Sequence, residues 1–369
     1  MRALVLTVVH HPEDARIRHR QLTALLDAGW QVTYAAPFRA FAARTRPEHA
    51  SLTLVDLPRA VGRRRLSAWR AARRLLKSQG QQHDVVLIHD LELLTTLPGL
   101  DVPPVVWDVH EDVAASMSTK PWLPVPVRPL ARSCTRLAEQ MAERHVHLLV
   151  AEPAYLTRFA GAHPVVPNSA VVPHVVSPPG DERVVYVGHL TMARGVAEMI
   201  AVGRGLRDQT DGAVHVQLVG HADPAATAAL RSAVDEGVVA WAGFLPSDVA
   251  MRRIDGALAG LSLLHDQPNY RHSTPTKIIE YMARGVPVIT TPLPIARQLV
   301  EETGCGVIVP FGDPTVTVEA ILALRDDPEL RRRMAWAGHR AALDRFDWTA
   351  DAEAFVAELT RVAAGVRTG

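Results

Sequence analysis

The stretch His163-Pro164-Val165-Val166-Pro167-Asn168 continues through Val171-Val172-Pro173 to Pro178-Pro179-Gly180 and interrupts a pattern that otherwise fills the chain. Prolines at that frequency cannot donate into a central strand ladder, so a domain boundary is predicted here. Upstream, short β-branched runs alternate with longer amphipathic stretches, with predicted strands at Leu4 to Val9, Gln31 to Ala36, Leu52 to Asp56, Val85 to His89, Val105 to Val109 and Val146 to Val150. Between the first two, Ile17, Leu22, Leu25 and Leu26 recur at helical spacing and Gly29 supplies a stop. Downstream a second series runs through Val184 to Val187, Val214 to Val219, Val238 to Trp241, Leu258 to Leu264, Val286 to Thr291 and Val307 to Val309. This is the strand–helix–strand rhythm of parallel sheets covered on both faces, an α/β class repeated in two domains. The predicted division is 1–167 and 168–348, with a last helix in 349–369 crossing back to the first domain. Facing α/β domains form a cleft, and open sheets of this kind bind ligands beyond the carboxyl ends of their strands.

Composition narrows the function. The 369 residues are 48% hydrophobic and 21% charged, with 40 basic against 39 acidic side chains and a formal net charge of +1, which argues against a disordered tail protein and a basic nucleic-acid binder. Apolar runs such as Ala3 to Val9 are strand-sized, and the start lacks a small-residue cleavage site, so a cytoplasmic protein is expected. Cys134 and Cys305 lie too far apart in sequence to suggest a disulfide framework or a zinc ligand set. Lysine occurs only at 77, 120 and 277, so 37 of the 40 basic residues are arginine.

Several chemistries lack their sequence marks. No Gly precedes a lysine as in a phosphate loop, no G-x-G-x-x-G follows a strand, and no G-x-S-x-G elbow occurs. The absence of Asp-x-Asp removes the simplest way to hold Mg²⁺ against a diphosphate, and His145-x-His147 reads as two solvent-side histidines, so no metal is expected.

The most informative stretch is Asn269-Tyr270-Arg271-His272-Ser273-Thr274-Pro275-Thr276-Lys277-Ile278-Ile279-Glu280-Tyr281-Met282-Ala283-Arg284-Gly285. Ser273 or Thr274 is predicted to cap a helix whose first residue is Pro275 and whose stop is Gly285. The helix opening and Lys277 in its first turn offer positive charge to a phosphate. Glu280, one turn on, can accept from the vicinal hydroxyls of a ribose; an ordinary capped helix with an intrahelical Lys–Glu pair is the alternative. A second opening follows the strand Val184 to Val187, where Gly188 admits a ligand to the backbone and Arg194 brings a fork of donors. Two cationic helix openings after strands of one sheet suit a diphosphate.

These residues resemble the donor-site helix of retaining glycosyltransferases of the GT-B fold, specifically glycosyltransferase family 4, through Pro275-Thr276-Lys277-x-x-Glu280-Tyr281-Met282-Ala283-x-Gly285-x-Pro287-Val288-Ile289. Asp14-Ala15-Arg16-Ile17, Trp107-Asp108-Val109-His110-Glu111-Asp112 and Phe346-Asp347-Trp348 are similar to further family stretches. The resemblance implies two Rossmann-like domains and transfer of a sugar from a nucleotide sugar, UDP-linked by family habit, to a hydroxyl acceptor, without a metal or other cofactor. It implies that Lys277 and Arg194 contact the donor diphosphate, that His110 sits by the donor sugar, and that Gly188, His189, His272, Ser273, Thr274 and Glu280 line the donor site. Two positions depart from the family: His272 stands where a Glu is usual, and His189 where an Arg is usual.

On the acceptor side, the loop His10 to Arg16, with His11 and Arg16, and the segment Ser118 to Trp122, with Lys120, offer polar and aromatic groups. From Arg59 to Lys77 run eight basic residues and no acid, with Leu66, Trp69, Leu75 and Leu76 interleaved, a composition that suits contact with an anionic membrane or a solvated helix face. A nucleotide-sugar epimerase using His110 and Glu111, and a non-catalytic sugar-nucleotide-binding partner, are the competing functions.

Overall fold

The computed structural model describes residues 1–43, 46–117 and 124–365. Two compact units are formed, Met1–Asn168 together with Thr349–Gly369, and Ser169–Trp348. Among the described residues no helix is long and apolar enough to cross a membrane.

The first unit is built on six parallel strands, β1 (Arg2–Leu6), β2 (Gln31–Ala36), β3 (Leu52–Asp56), β4 (Val85–Ile88), β5 (Val105–Val109) and β6 (His147–Val150), in the order β3-β2-β1-β4-β5-β6. Ala3 to Leu6 and Val85 to Ile88 are wholly buried, the uninterrupted apolar reading of central strands covered on both faces. β1 stops at Leu6 rather than Val9 because the Val8 and Val9 amides donate to the Asp90 carboxylate. After it the chain makes a π-helical turn over Ile17–Leu22, in which Gln21 N bonds to Arg16 O at 2.9 Å, and continues as an α-helix over Thr23–Asp27. That wide turn buries Ile17, Arg20, Gln21 and Leu22 together. The Arg65–Gln79 helix turns Ala68, Ala72, Leu75 and Leu76 into the core. The last helix, Trp348–Ala363, belongs to this unit from Thr349 onward, with Phe355, Leu359 and Val362 buried.

The second unit repeats the plan with β7 (Arg183–Val187), β8 (His215–Val219), β9 (Val239–Trp241), β10 (Ala259–Ser262), β11 (Val288–Thr290) and β12 (Gly306–Ile308), in the order β12-β11-β10-β7-β8-β9. Counted within each unit, both sheets have the order 3-2-1-4-5-6 of doubly wound dinucleotide folds. The α/β class with two Rossmann-like units is as expected from the sequence. Where the chain enters and leaves the second unit, Ala170 bridges Asp347, and Ala170 N bonds Phe346 O at 2.9 Å while Trp348 N bonds Ala170 O at 2.8 Å.

Candidate functional site

A 3-2-1-4-5-6 sheet reverses direction between its first and fourth strands, and ligands bind outside the carboxyl ends of those strands. In the second unit they are β7 and β10. Gly188 follows β7 at a φ of +152°, outside the range a side chain tolerates well. The point where its Cβ would stand lies 2.7 Å from Cε and 3.5 Å from Nζ of Lys277, and 3.2 Å from the Tyr186 hydroxyl. The lysine of one helix thus lies across the glycine of the other opening. Arg194 closes a turn capped by Thr191, whose hydroxyl accepts from Arg194 N at 3.2 Å. Its guanidinium lies near Tyr186 and Tyr270, which hold its pKa up against burial. The two cations therefore share Tyr186 as a neighbour, and Tyr186 in turn donates to the His189 carbonyl at 2.9 Å.

The helix carrying Lys277 runs over Thr276–Ala283 and is held by Tyr281. The buried Tyr281 hydroxyl donates to Leu261 O in β10 at 2.9 Å and accepts from Val187 N in β7 at 3.4 Å. Its ring fits only because Gly260 has no side chain, a Cβ there falling 2.4 Å from the ring. One phenol thus ties the helix to both strands at the reversal point. Tyr186 and Gly260 carry no role in the sequence reading, and Tyr270 and Tyr281 enter it only as members of the quoted stretch; the aromatic spacing after β-branched runs is the available signal, and it reads equally well as core.

Some details differ from expectation. Pro275, not Ser273 or Thr274, is the capping residue, and no side chain caps the helix. Ser273 instead donates its hydroxyl to Asn269 O at 2.6 Å, closing the preceding turn, and Thr276 N bonds Thr274 O. Glu280 accepts from Lys277 Nζ at 2.7 Å, so the intrahelical pair is formed and the carboxylate also lies at the site. His272 is exposed in the loop that Arg271 and Asp266 brace with two hydrogen bonds. His189 stacks on His221 at 5.9 Å; burial, then Arg194 and His221, pull its pKa below the usual value, so it adds no positive charge at neutral pH.

The first unit places a second polar cluster at its own reversal point, between β1 and β4. Asp90, just after β4, accepts from Thr7 and Val8 after β1, and His10 Nε2 lies 3.3 Å from it. Beside them Asp108 in β5 is wholly buried, gripped at both oxygens by Arg16 at 2.7 Å and bonded by Gln21 at 3.0 Å. Arg16, expected on the acceptor side, is buried, and its remaining donors go to Val166 O, Pro167 O and Asn168 Oδ1. His89 and His110 place Nδ1 at 3.2 and 3.4 Å from the same carboxylate. Burial opposes charge on both imidazoles; at His89 it prevails, whereas at His110 the Asp108 carboxylate outweighs it and the pKa is pushed up to about 9. Burial likewise opposes the Asp108 charge, but Arg16 and the imidazoles hold its pKa well below the carboxylate range. His110 Nε2, buried, has no hydrogen-bond partner among the described residues. His11 accepts from Glu13 N at 3.0 Å and packs on Phe41 at 4.6 Å. Lys120 lies outside the described residues.

His10, His110 and Glu111, and separately His89, Asp108 and His110, bring potential ligand atoms within 4.8 Å of one another. In the second set Asp108 is committed to Arg16.

Residues 181–327 match the family described as glycosyl transferases group 1. Phosphatidyl-myo-inositol mannosyltransferase of Mycobacterium leprae (strain TN) is 29% identical over 157 residues, 41% of this chain and 34% of that protein, so the likeness spans about a third of the relative's length. Sucrose-phosphate synthase from Thermosynechococcus elongatus superposes with a TM-score of 0.72 at 17% identity, over 99% of each chain. The Anabaena protein HepE, solved in complex with UDP-glucose, does so with a TM-score of 0.68 at 15% identity, over 98% of this chain and 99% of that one. The fold is that of the GT-B class, two Rossmann-like units in one polypeptide. The likeness to group 1 of the glycosyl transferases is carried by the second unit, within which the matched residues lie.

Proposed function

We propose that this chain is a retaining glycosyltransferase of family 4 that needs no metal and transfers a sugar from a nucleoside diphosphate sugar, with UDP as the nucleotide, to a hydroxyl of a sugar, lipid-linked sugar or small molecule. The observation that carries the reading is Lys277 laid across Gly188, with Arg194 sharing Tyr186, at the reversal point of the second sheet. A backbone without a side chain and two cations suit a diphosphate approaching β7. The HepE structure holds UDP-glucose, which supports the nucleotide chosen.

In this reading the bond between the anomeric carbon and the β-phosphate oxygen breaks while the acceptor oxygen bonds the same face of that carbon. The acceptor proton passes to the departing phosphate oxygen. Lys277 and Arg194 stabilise the charge that grows on the diphosphate, an effect aimed at the transition state. Glu280 receives the ribose hydroxyls once Lys277 turns to phosphate, and His110 offers a charged N–H to an oxygen of the reacting sugars. The work is cytoplasmic, without nucleic acid. The basic side chains from Arg59 to Lys77 provide an electrostatic contact with anionic lipid, because Leu75 and Leu76 are spent in the core.

Incubation with a panel of nucleotide sugars tests the reading. Nucleotide released only when a hydroxyl acceptor is present supports a transferase; an isomerised donor means an epimerase, and binding without turnover means a non-catalytic partner.

A further inference from the structure

Beyond the carboxyl ends of β1 and β5, His10, His110 and Glu111 offer two imidazole nitrogens and a carboxylate oxygen that all lie within 4.8 Å of one another. The side chains of His10 and His110 are 14% and 10% exposed, while Glu111 stands in solvent. The two rings are tilted by 52° with centroids 4.7 Å apart, so they do not stack face to face. One buried nitrogen of the group lacks a partner. His110 Nδ1 lies 3.1 Å from Asp108 O and 3.4 Å from the Asp108 carboxylate, whereas Nε2 has no hydrogen-bond partner among the described residues.

A metal-binding histidine shows the same division: a carboxylate or carbonyl fixes one ring nitrogen, which orients the ring and raises the basicity of the other. His10 also has a carboxylate beside it, Asp90 Oδ1 lying 3.3 Å from its Nε2. Charge points the same way. Asp14 acts on both histidines, its carboxylate held by the amides of Arg16 and Ile17, and Asp90 is held by those of Val8 and Val9. With Arg16 committed to Asp108, the carboxylates of Asp14, Asp90 and Glu111 remain to offset a dication. Two imidazoles and one carboxylate suit Zn²⁺ rather than Mg²⁺ or Ca²⁺, which take oxygen ligands, and three protein ligands leave a fourth position to water. Ligand atoms around a tetrahedral Zn²⁺ stand about 3.3 Å apart, a closer set that side-chain rotation reaches, exposed Glu111 being the freest of the three.

We propose that His10, His110 and Glu111 bind one Zn²⁺ and that the bound ion arrests sugar transfer. Coordination forms a bond from His110 Nε2 to the metal and releases the proton of that nitrogen to solvent, so its N–H is no longer offered to the reacting sugars. The arrest rests on the reading that places His110 beside those sugars; the coordination does not.

Calorimetric titration of the untagged, chelator-treated full chain with Zn²⁺, and the visible absorption of added Co²⁺, test the site. One ion per chain is expected, with the intensified Co²⁺ bands of a four- or five-coordinate centre. His10→Asn and Glu111→Gln should each weaken Zn²⁺ binding at least about tenfold, the lower end of what even an outer partner of a metal ligand contributes. Both side chains reach solvent, so these variants keep the test decisive if His110→Asn misfolds. Lys277→Ala, in the second unit, should bind Zn²⁺ as the native chain does. Saturating Zn²⁺ should lower native turnover by about 10² or more, as when one preorganised donor is lost, and excess chelator should restore it. His10→Asn should lose most of that sensitivity, read as the ratio of its rates without and with the ion. Absent or substoichiometric binding, native affinity in both variants, loss only when His189→Asn and His221→Asn are combined, or full turnover with Zn²⁺ bound would each overturn the proposal. The titrations use no sugar donor, so they stand or fall apart from the transferase assay.

Discussion

Lys277 occupies the space that a side chain on Gly188 would need, its Cε 2.7 Å from the absent Cβ. The glycine keeps the backbone open to a ligand and at the same time sets the path of the lysine. Replacing Gly188 with Ala should therefore disturb two things at once, a φ of +152° and the lysine's position. A stability loss of about 1–3 kcal/mol is expected. Calorimetric titration with UDP should show weakened binding; unaltered affinity would detach the lysine's position from nucleotide recognition.

Lys277→Ala removes the charge and leaves the glycine in place. Turnover should fall by about 10²–10³, the range found when one preorganised donor to a developing negative charge is lost. The circular dichroism spectrum should be unchanged. A variant that keeps full activity would take Lys277 out of the diphosphate site.

Tyr281→Phe isolates the tie between the helix and the strands. The lost hydroxyl leaves Leu261 O and Val187 N without their shared partner, at a cost of about 1–3 kcal/mol. Because that phenol positions the helix carrying Lys277, KM for the nucleotide sugar should rise more than kcat falls. Equal stability of variant and native chain in urea titration would refute the role.

Asp108 sets the charge of His110. A folded pKa of about 9 exceeds the ordinary histidine value of roughly 6.5. The stabilisation this represents is complete below about pH 6.5 and disappears as pH rises through about 9. In Asp108→Asn burial and Arg16 are opposed only by Glu111, so imidazole NMR should find the His110 titration moved below its ordinary value, and the stability lost between neutral and alkaline pH should vanish. Arg16→Met leaves the Asp108 carboxylate buried without its ion partner and should cost about 3–5 kcal/mol.

Much of the architecture is legible in the sequence because strand runs and proline clusters are local signals. Each predicted strand appears with some ends shifted, β1 beginning at Arg2 and ending early where Val8 finds Asp90, and β12 beginning at Gly306. The Lys277–Glu280 pair is legible for the same reason, being one turn apart. What local spacing does not carry is the pairing of Arg16 with Asp108, 92 positions away, or the choice between capping and turn closure at Ser273. Nor does it tell His89 from His110. Both touch one carboxylate, yet the balance of burial and attraction that makes one neutral and the other charged exists only after folding.

The first unit draws its final helix from beyond the second. During synthesis the ribosome has therefore delivered every strand of both sheets before it releases the segment with Phe355, Leu359 and Val362. Until then the first unit lacks part of its own chain, while the second already has all of its residues.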